Sequence, residues 1–391
     1  MANNTFLKQR NMLEIIKIIK NMGNVTKPEI VKATGFTQST VHSFIIELLE
    51  KDIIHEEGIA ESNGGRKAVI YRMNEDKFKI FAVDIGDSYI SVCISNLDFK
   101  SIYSKTVNYK INDYGISEGF ECIIRLINSA IDQSQTDKNN ILGIGVSVSG
   151  TVDFLNGKIY QITNSPKWCN IPLAKMIEDR TGINTIIDKD NNNAVLYYKM
   201  EDIVNKSNIV FLSTRKGIGT GVLIEGNVYR GSHFLAGEFG HIRIDSTGAI
   251  CKCGRTGCIE PLASDPGIVK RFSLIKKQEN ISLNMVIEAA KQNDEAALDV
   301  LNDVADNLTL ALSNVIRIYD PSEIIIDCIW LQNFPGIYNT IIDNVYEDNN
   351  FVDRDNLIFT LSKEDNILLL GATALVLDHH LNSDATSKFL Q

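Results

Sequence analysis

The stretch that decides the reading is residues 237–260, GEFGHIRIDSTGAICKCGRTGCIE. Three of the chain's seven cysteines, Cys251, Cys253 and Cys258, fall near its end, and His241 stands upstream with nine residues between it and Cys251. One imidazole and three potential thiolates are enough to close a tetrahedral shell with no position left for water. The expected metal is therefore a structural Zn2+ held by His241, Cys251, Cys253 and Cys258. Gly254 and Gly257 let the chain fold tightly enough for backbone amides to approach the sulfurs. The bland alternative is that the cysteines are small buried hydrophobes, but clustered cysteines with two glycines and an upstream histidine are rarely that. The ends of the stretch say what the loop serves. Glu238 and His241 stand on one side and Glu260 just beyond Cys258, so a metal would tie two acidic groups into one wall. Ionised carboxylates each accept from several O–H donors, which suits a hydroxyl-rich ligand.

The rest of the chain supplies the setting. At 391 residues it exceeds one ordinary core, and ~150 residues per domain suggests two or three. The net charge of −10 is uneven. Residues 1–77 carry 11 Lys/Arg against 10 Asp/Glu, the remainder 28 against 39, so only the N-terminal part is suited to approach phosphates. No run of ~18 apolar residues and no apolar segment of signal-peptide type is present, so a cytoplasmic protein with reduced thiols and no membrane partner is expected.

LKQRNMLEIIKIIKNMG (residues 7–23) spaces Leu7, Leu13, Ile16 and Ile19 as one helical face. VTKPEIVKATGFTQSTVHSFIIELLEKDII (25–54) then reads as a helix-turn-helix. Thr26 and Glu29 have capping-box spacing, Pro28 sits in a first turn, and Gly35 allows the bend. The second helix is expected to bury Val41, Ile45, Leu48 and Leu49 and to leave Thr37, Gln38, Ser39, Thr40, His42 and Ser43 for DNA, since short polar side chains at a helix N-terminus suit major-groove reading. Two strand-like runs around SNGGRK (62–67) complete a winged helix-turn-helix, with Arg66 and Lys67 offered to phosphates or the minor groove. A helical protein-interaction domain is the competing reading.

From residue 78 onward strands alternate with helices. FKIFAVDIGDSYISVCISNL (78–97) and SNIVFLSTRKGIGTGVLIEGNVYRG (207–231) are both strand, Gly turn and strand, which suggests duplicated α/β lobes. A long helical stretch around 293–319 precedes a buried strand in PSEIIIDCIW (321–330).

With GEFGH, CKCGRTGCIE and the wing-like GGRKAVIYRMN (64–74) quoted, the sequence resembles the ROK family of repressors, open reading frames and sugar kinases, over nearly its whole length. The resemblance implies two lobes of actin-like ATPase type around a sugar cleft, a zinc-stabilised loop, and homodimers or homotetramers. The expected division is 1–76 for the winged helix-turn-helix, 77–190 for a first lobe completed by a helix at 375–391, and 191–374 for a second lobe. NSPKW (164–168) and KDNNNA (189–194) resemble family sugar-pocket segments, which makes Asn164, Asp190, Asn192, Glu238, His241 and Glu260 the expected monosaccharide contacts. Asp190 matches the kinase base position, although Lys189 replaces the family's preceding Asn. The ATP side departs from the family. DIGDSY (84–89) places Asp87 where kinases keep a glycine and lacks the later lysine. RKGIGTG (215–221) departs at its first two positions, and IIIDCIW (324–330) replaces a Gly-Gly segment. An acidic residue near a polyanion and the loss of backbone approach disfavour phosphate.

The expectation is thus a non-enzymatic, monosaccharide-responsive regulator, a repressor by family tendency, that binds operator DNA. An ATP-dependent sugar kinase carrying a DNA-binding domain is one alternative. A repressor sequestered by a transport-system protein is another.

Overall fold

The computed structural model describes residues 2–60, 68–113, 115–163, 165–201, 207–245, 248–382 and 388–390. The expected contacts Asn164, Arg66 and Lys67 lie outside the described residues. The chain divides into two compact units, one of Met1–Ile203 with Leu368–Gln391 and one of Val204–Ile367.

The first unit begins with α1 (Ala2–Met22), β1 (Val25–Thr26), α2 (Lys27–Thr34), α3 (Gln38–Glu50), β2 (Ile54–Ile59) and β3 (Val69–Met73). Met12, Leu13, Ile15, Ile16 and Ile19 bury the inner face of α1. Leu7, expected on that face, is 52% exposed. At 3.6 residues per turn it lies about 120° from Leu13, on the side opposite Ile16 and Ile19. α2 starts where the capping spacing placed it: the Thr26 backbone N–H and hydroxyl both donate to Glu29 Oε2 at 2.7 Å. Those bonds hold the Glu29 carboxyl below its ordinary value. Gly35 takes φ 70° and donates its N–H to the Val31 carbonyl, closing α2 and turning the chain into α3. α3 buries Val41, Phe44, Ile45 and Leu48, the i, i+3, i+4, i+7 stripe of an amphipathic helix. Phe44 takes the place expected for Leu49, which is only half-buried. β2 and β1 flank β3 in a small antiparallel sheet.

The α/β part of this unit contains β4 (Lys79–Ile85), β5 (Tyr89–Ser95), β6 (Ser101–Asn108), α4 (Ile116–Ser134), β7 (Ile141–Val148), β8 (Gly150–Asp153), β9 (Lys158–Ile162), β10 (Ser165–Ile171), α5 (Leu173–Thr181), β11 (Thr185–Lys189) and α6 (Asp190–Glu201). Its five-stranded sheet has the order β11-β7-β4-β5-β6. β4, β5 and β6 form an antiparallel meander, while β7 and β11 run parallel to β4 and β7 respectively. Alternation along β4 sends Phe81, Val83 and Ile85 into the core with α4 and α5, and Ala82 to the other face with Cys93, Leu369 and Ala372. Gly145 is what lets the helix Ile367–Asn382 lie so close to the sheet, since a Cβ there would stand 2.0 Å from the Ala372 carbonyl oxygen. The described C-terminal residues reach back to α3: Lys51 Nζ donates to the Leu390 carbonyl at 2.6 Å, and the Phe78 and Phe389 rings meet edge to face.

The second unit contains β12 (Ile209–Ser213), β13 (Gly219–Ile224), β14 (Asn227–Val228), α7 (Glu260–Ala263), α8 (Asp265–Lys276), α9 (Leu283–Lys291), α10 (Glu295–Tyr319), β15 (Glu323–Asp327), α11 (Pro335–Asp348) and β16 (Ile358–Leu361). Its sheet order is β14-β13-β12-β15-β16, again an antiparallel meander beside two parallel strands. The second sheet thus repeats the plan of the first, as the paired strand–turn–strand pattern implied. α10 provides its main apolar stripe, with Leu301, Val304, Leu308, Leu312 and Val315 buried. Among the described residues no helix is long and apolar enough to cross a membrane.

Candidate functional site

In the second unit the GEFGH segment is pinned against the start of β13. Gly237 adopts φ 83° and a Cβ there would lie 2.0 Å from the Thr220 carbonyl oxygen. Gly240 donates its N–H to the Ile218 carbonyl at 3.0 Å. The single turn Phe239–His241 that follows aims the His241 ring at the cysteine loop. That loop is a tight hairpin closed by the bridges Arg243–Cys258 and Ile250–Thr256. Within it Cys251 N–H donates to the Arg255 carbonyl and Gly254 N–H to the Cys251 carbonyl. Gly257, at φ 82°, would place a Cβ 1.4 Å from the Asp245 carbonyl oxygen, so only glycine closes the hairpin.

The result brings together one ligand atom each from His241, Cys251, Cys253 and Cys258, all within 4.8 Å of one another. Cys251 Sγ is 3.6 Å from His241 Nδ1, and the Cys253 and Cys258 sulfurs are 3.7 Å apart. Ligands bound at about 2.0–2.3 Å to one zinc ion stand roughly 3.3–3.8 Å apart. The donor set and its spacing therefore fit a tetrahedral metal site. Burial pushes the Cys251 thiol up to about 12 and raises that of Cys258, while a hydrogen bond with Arg255 lowers Cys253 to about 6.

The two glutamates flank this cluster. Glu238 Oε2 is 3.9 Å from His241 Nε2, the ring nitrogen turned away from the sulfurs. Glu260 opens α7, with Oε1 3.9 Å from Cys251 Sγ. It occupies the space above Gly217, where a Cβ would stand 2.6 Å from Glu260 Oε2. Glu238, His241 and Glu260 are thus gathered around one loop, each only partly buried.

In the first unit Asp190 begins α6 at the end of β11, and its carboxylate accepts the Asn191 N–H at 2.8 Å. Asn192 is buried, donates to Asp188 Oδ1 at 3.1 Å, and keeps a buried Oδ1 without a hydrogen-bond partner. Two residues the sequence did not single out hold this helix start. Buried Asp188 accepts from Asn192 and from the Lys189 N–H, and Asn193 donates to Ser147 Oγ at 2.9 Å. Neighbouring acids could be read as a solvated cluster, and nothing local marks Asp188 as the organiser. At the start of β5, Tyr89 stands at the position where the kinase pattern has a lysine and donates its hydroxyl to Asp84 at 2.6 Å. Burial raises the Tyr89 hydroxyl far above its usual value, and the charges of Asp84, Asp190 and Asp87 add to the shift.

On α3, Thr37 is the N-cap: its hydroxyl accepts the Thr40 N–H at 3.2 Å and contacts the Ser39 and Thr40 hydroxyls. Gln38, Ser39, His42 and Ser43 are exposed, and Thr40 is half-buried. His42 Nδ1 lies 3.1 Å from Lys27 Nζ, and since an ammonium only donates, Nδ1 accepts.

A sequence model described as the ROK family matches residues 80–379. The xylose repressor of Caldicellulosiruptor bescii is 29% identical over 402 residues, covering 98% of this chain and 99% of the relative. Among solved structures, a ROK family transcriptional regulator described as a homologue of the E. coli MLC protein aligns with TM-score 0.83. It is 22% identical and covers 99% of this chain and 100% of its own. A ROK hexokinase from Thermus thermophilus aligns with TM-score 0.64 at 20% identity, covering 76% of this chain and 97% of its own. The likeness to both structures shows the fold, an actin-like sugar-kinase type.

Proposed function

The chain belongs to the ROK family, and on that premise we propose that it is a monosaccharide-responsive transcriptional regulator, a repressor that binds operator DNA through a winged helix-turn-helix formed by residues 1–76. The single observation that carries the reading is the end-to-end match to a relative named xylose repressor, N-terminal helices included. The exposed polar start of α3 supports it, because Gln38, Ser39, His42 and Ser43 are free of the core and could reach base edges. Ser43 stands where family recognition helices often carry arginine, so one phosphate or guanine contact is either missing or moved to His42 or to the wing residues Arg66 and Lys67.

The proposed effector contacts are Asn164, Asp190, Asn192, Glu238, His241 and Glu260. Carboxylates, amides and an imidazole accept and donate to sugar hydroxyls without demanding a phosphate. Asp190 acts here as a hydroxyl acceptor rather than a base, since Asp87, standing where kinases keep a glycine, opposes the approach of a polyanion. A base without a phosphoryl donor transfers nothing. His241, Cys251, Cys253 and Cys258 hold a structural zinc ion, which would neutralise the thiolates and fix Glu238 and Glu260 relative to one another. His241 joins both tasks through its two ring nitrogens, Nδ1 facing the sulfurs and Nε2 facing Glu238.

The protein works in the cytoplasm as a homodimer or homotetramer. Half-sites on DNA lie about one helical turn, ~34 Å, or a multiple apart. The sugar shifts the balance between a state that engages two half-sites and one that does not, by its difference in affinity for the two. Calorimetric titration with a panel of monosaccharides, xylose first, tests the reading. Binding heat from one sugar, lost in Glu238→Ala, is the expected result. Phosphorylation of that sugar with ATP would move the protein to the kinase branch.

A further inference from the structure

β12 and β15 are adjacent parallel strands. From β12 the sheet grows toward β13 and β14 on one side and toward β15 and β16 on the other, so the strand order reverses between them. In open α/β sheets the crevice beyond the carboxyl ends of such a strand pair is the usual ligand site, and phosphates favour it. In this unit an ion pair stands at the carboxyl ends of those two strands. Arg215, just past the end of β12, donates through Nε at 2.8 Å and approaches through Nη2 at 2.7 Å to Oδ1 of Asp327, the last residue of β15. The same Nη2 donates to the Glu364 carbonyl at 2.9 Å, and Ser213 Oγ donates to Asp327 Oδ2 at 3.0 Å. Asp327 is 1% exposed, and both of its oxygens are bonded. Asp265, also buried, sits beside the pair, its N–H on the Thr214 carbonyl and its carboxylate on the Thr214 hydroxyl. A phosphate entering here would have to take the guanidinium from Asp327 and face two carboxyl groups instead.

We propose that the Arg215–Asp327 pair is a built-in plug at this switch point, joining the ends of β12 and β15 and the Glu364 segment and excluding phosphate-bearing ligands from the unit. Read singly along the chain, the two residues are separate departures from a kinase pattern. In the fold each explains the other: a buried carboxylate needs a cation, and the cation needs an anchored acceptor. The inference rests on the non-enzymatic reading above but goes beyond it, because it makes the exclusion active and assigns it to two residues.

The test uses the full chain as wild type, Arg215→Met, Asp327→Leu and the double variant. Each is unfolded in urea, titrated with Mg-ATP and with inorganic phosphate at millimolar concentration, and assayed for sugar-dependent operator release. Arg215→Met leaves a buried unpaired carboxylate, so it should lower the urea midpoint most, and the double variant should recover most of that loss. Wild type should give no heat with either phosphate compound. Should Arg215→Met fail to fold, Arg215→Lys, which keeps the charge but loses the fork, should lie between it and wild type. Simple additivity of the two substitutions would overturn the plug. So would ATP or phosphate binding by wild type that Arg215→Lys weakens, which would make Arg215 a phosphate ligand. Intact sugar-dependent operator release in either case would leave the regulator reading standing, and its loss in wild type would sink that reading alone.

Discussion

Replacing Asp265 with Asn should change how the stability of the second unit depends on pH, and the size of the change follows from its surroundings. Asp265 begins α8, capped by Ser264, whose hydroxyl accepts the Gly267 N–H. It is 6% exposed. Burial pushes its carboxyl from 3.8 up to about 7; the Thr214 hydroxyl and Arg215 pull it back and the Asp327 charge adds to the rise. Between those values the folded unit keeps a proton that the unfolded chain has lost. Stability rises with pH only where the unfolded state binds more protons, so here it falls. The slope is about 1.4 kcal/mol per pH unit, and the full penalty is on the order of 4 kcal/mol. It is absent below pH ~4, where both states are protonated, and complete above pH ~7. Asparagine keeps the shape and can accept the Thr214 hydroxyl, but does not titrate. The margin by which Asp265→Asn exceeds wild type should therefore widen by roughly 2–3 kcal/mol between pH 5 and pH 7.5. Trp330 is fully buried in this unit, and Trp168, the chain's other tryptophan, lies in the first. Urea unfolding followed by fluorescence in a Trp168→Phe background thus reports the right unit. Parallel stability–pH curves for the two proteins would refute the reasoning.

Two further outcomes follow from the cysteine loop. Gly257→Ala forces a side chain onto φ 82° and onto the Asp245 carbonyl, so it should cost roughly 3 kcal/mol or more and abolish metal uptake by elemental analysis. Purified wild type should carry about one zinc per chain; a strong chelator should remove it and lower the thermal midpoint, and Cys258→Ser should reproduce the chelated state without chelator.

What could be read along the chain was what is local in it. The Thr26–Glu29 cap, the Gly35 turn and the His241–Cys251–Cys253–Cys258 set depend on spacings of a few residues, and the structure places each as the spacing implied. Short helical stripes were less legible: Leu7 falls out of phase with Leu13, and Phe44 rather than Leu49 fills the α3 core. The least legible contacts join distant residues. Nothing near Arg215 announces that its partner is Asp327, 112 positions on, and the Tyr89 hydroxyl reaches Asp84 only because β4 and β5 pair across a tight turn. Asp188 was missed because its role is to hold Asn192 and the Lys189 N–H rather than to meet a ligand.

The measurement that bears most directly on the central claim is binding of the full-length protein to its own promoter DNA, titrated with monosaccharides in the absence of any other protein. Release of the DNA by one sugar at concentrations that also give binding heat, with the response lost in Glu238→Ala but DNA affinity retained, is the predicted result. DNA binding that no sugar alters, or release that requires ATP turnover, would contradict a sugar-sensing repressor.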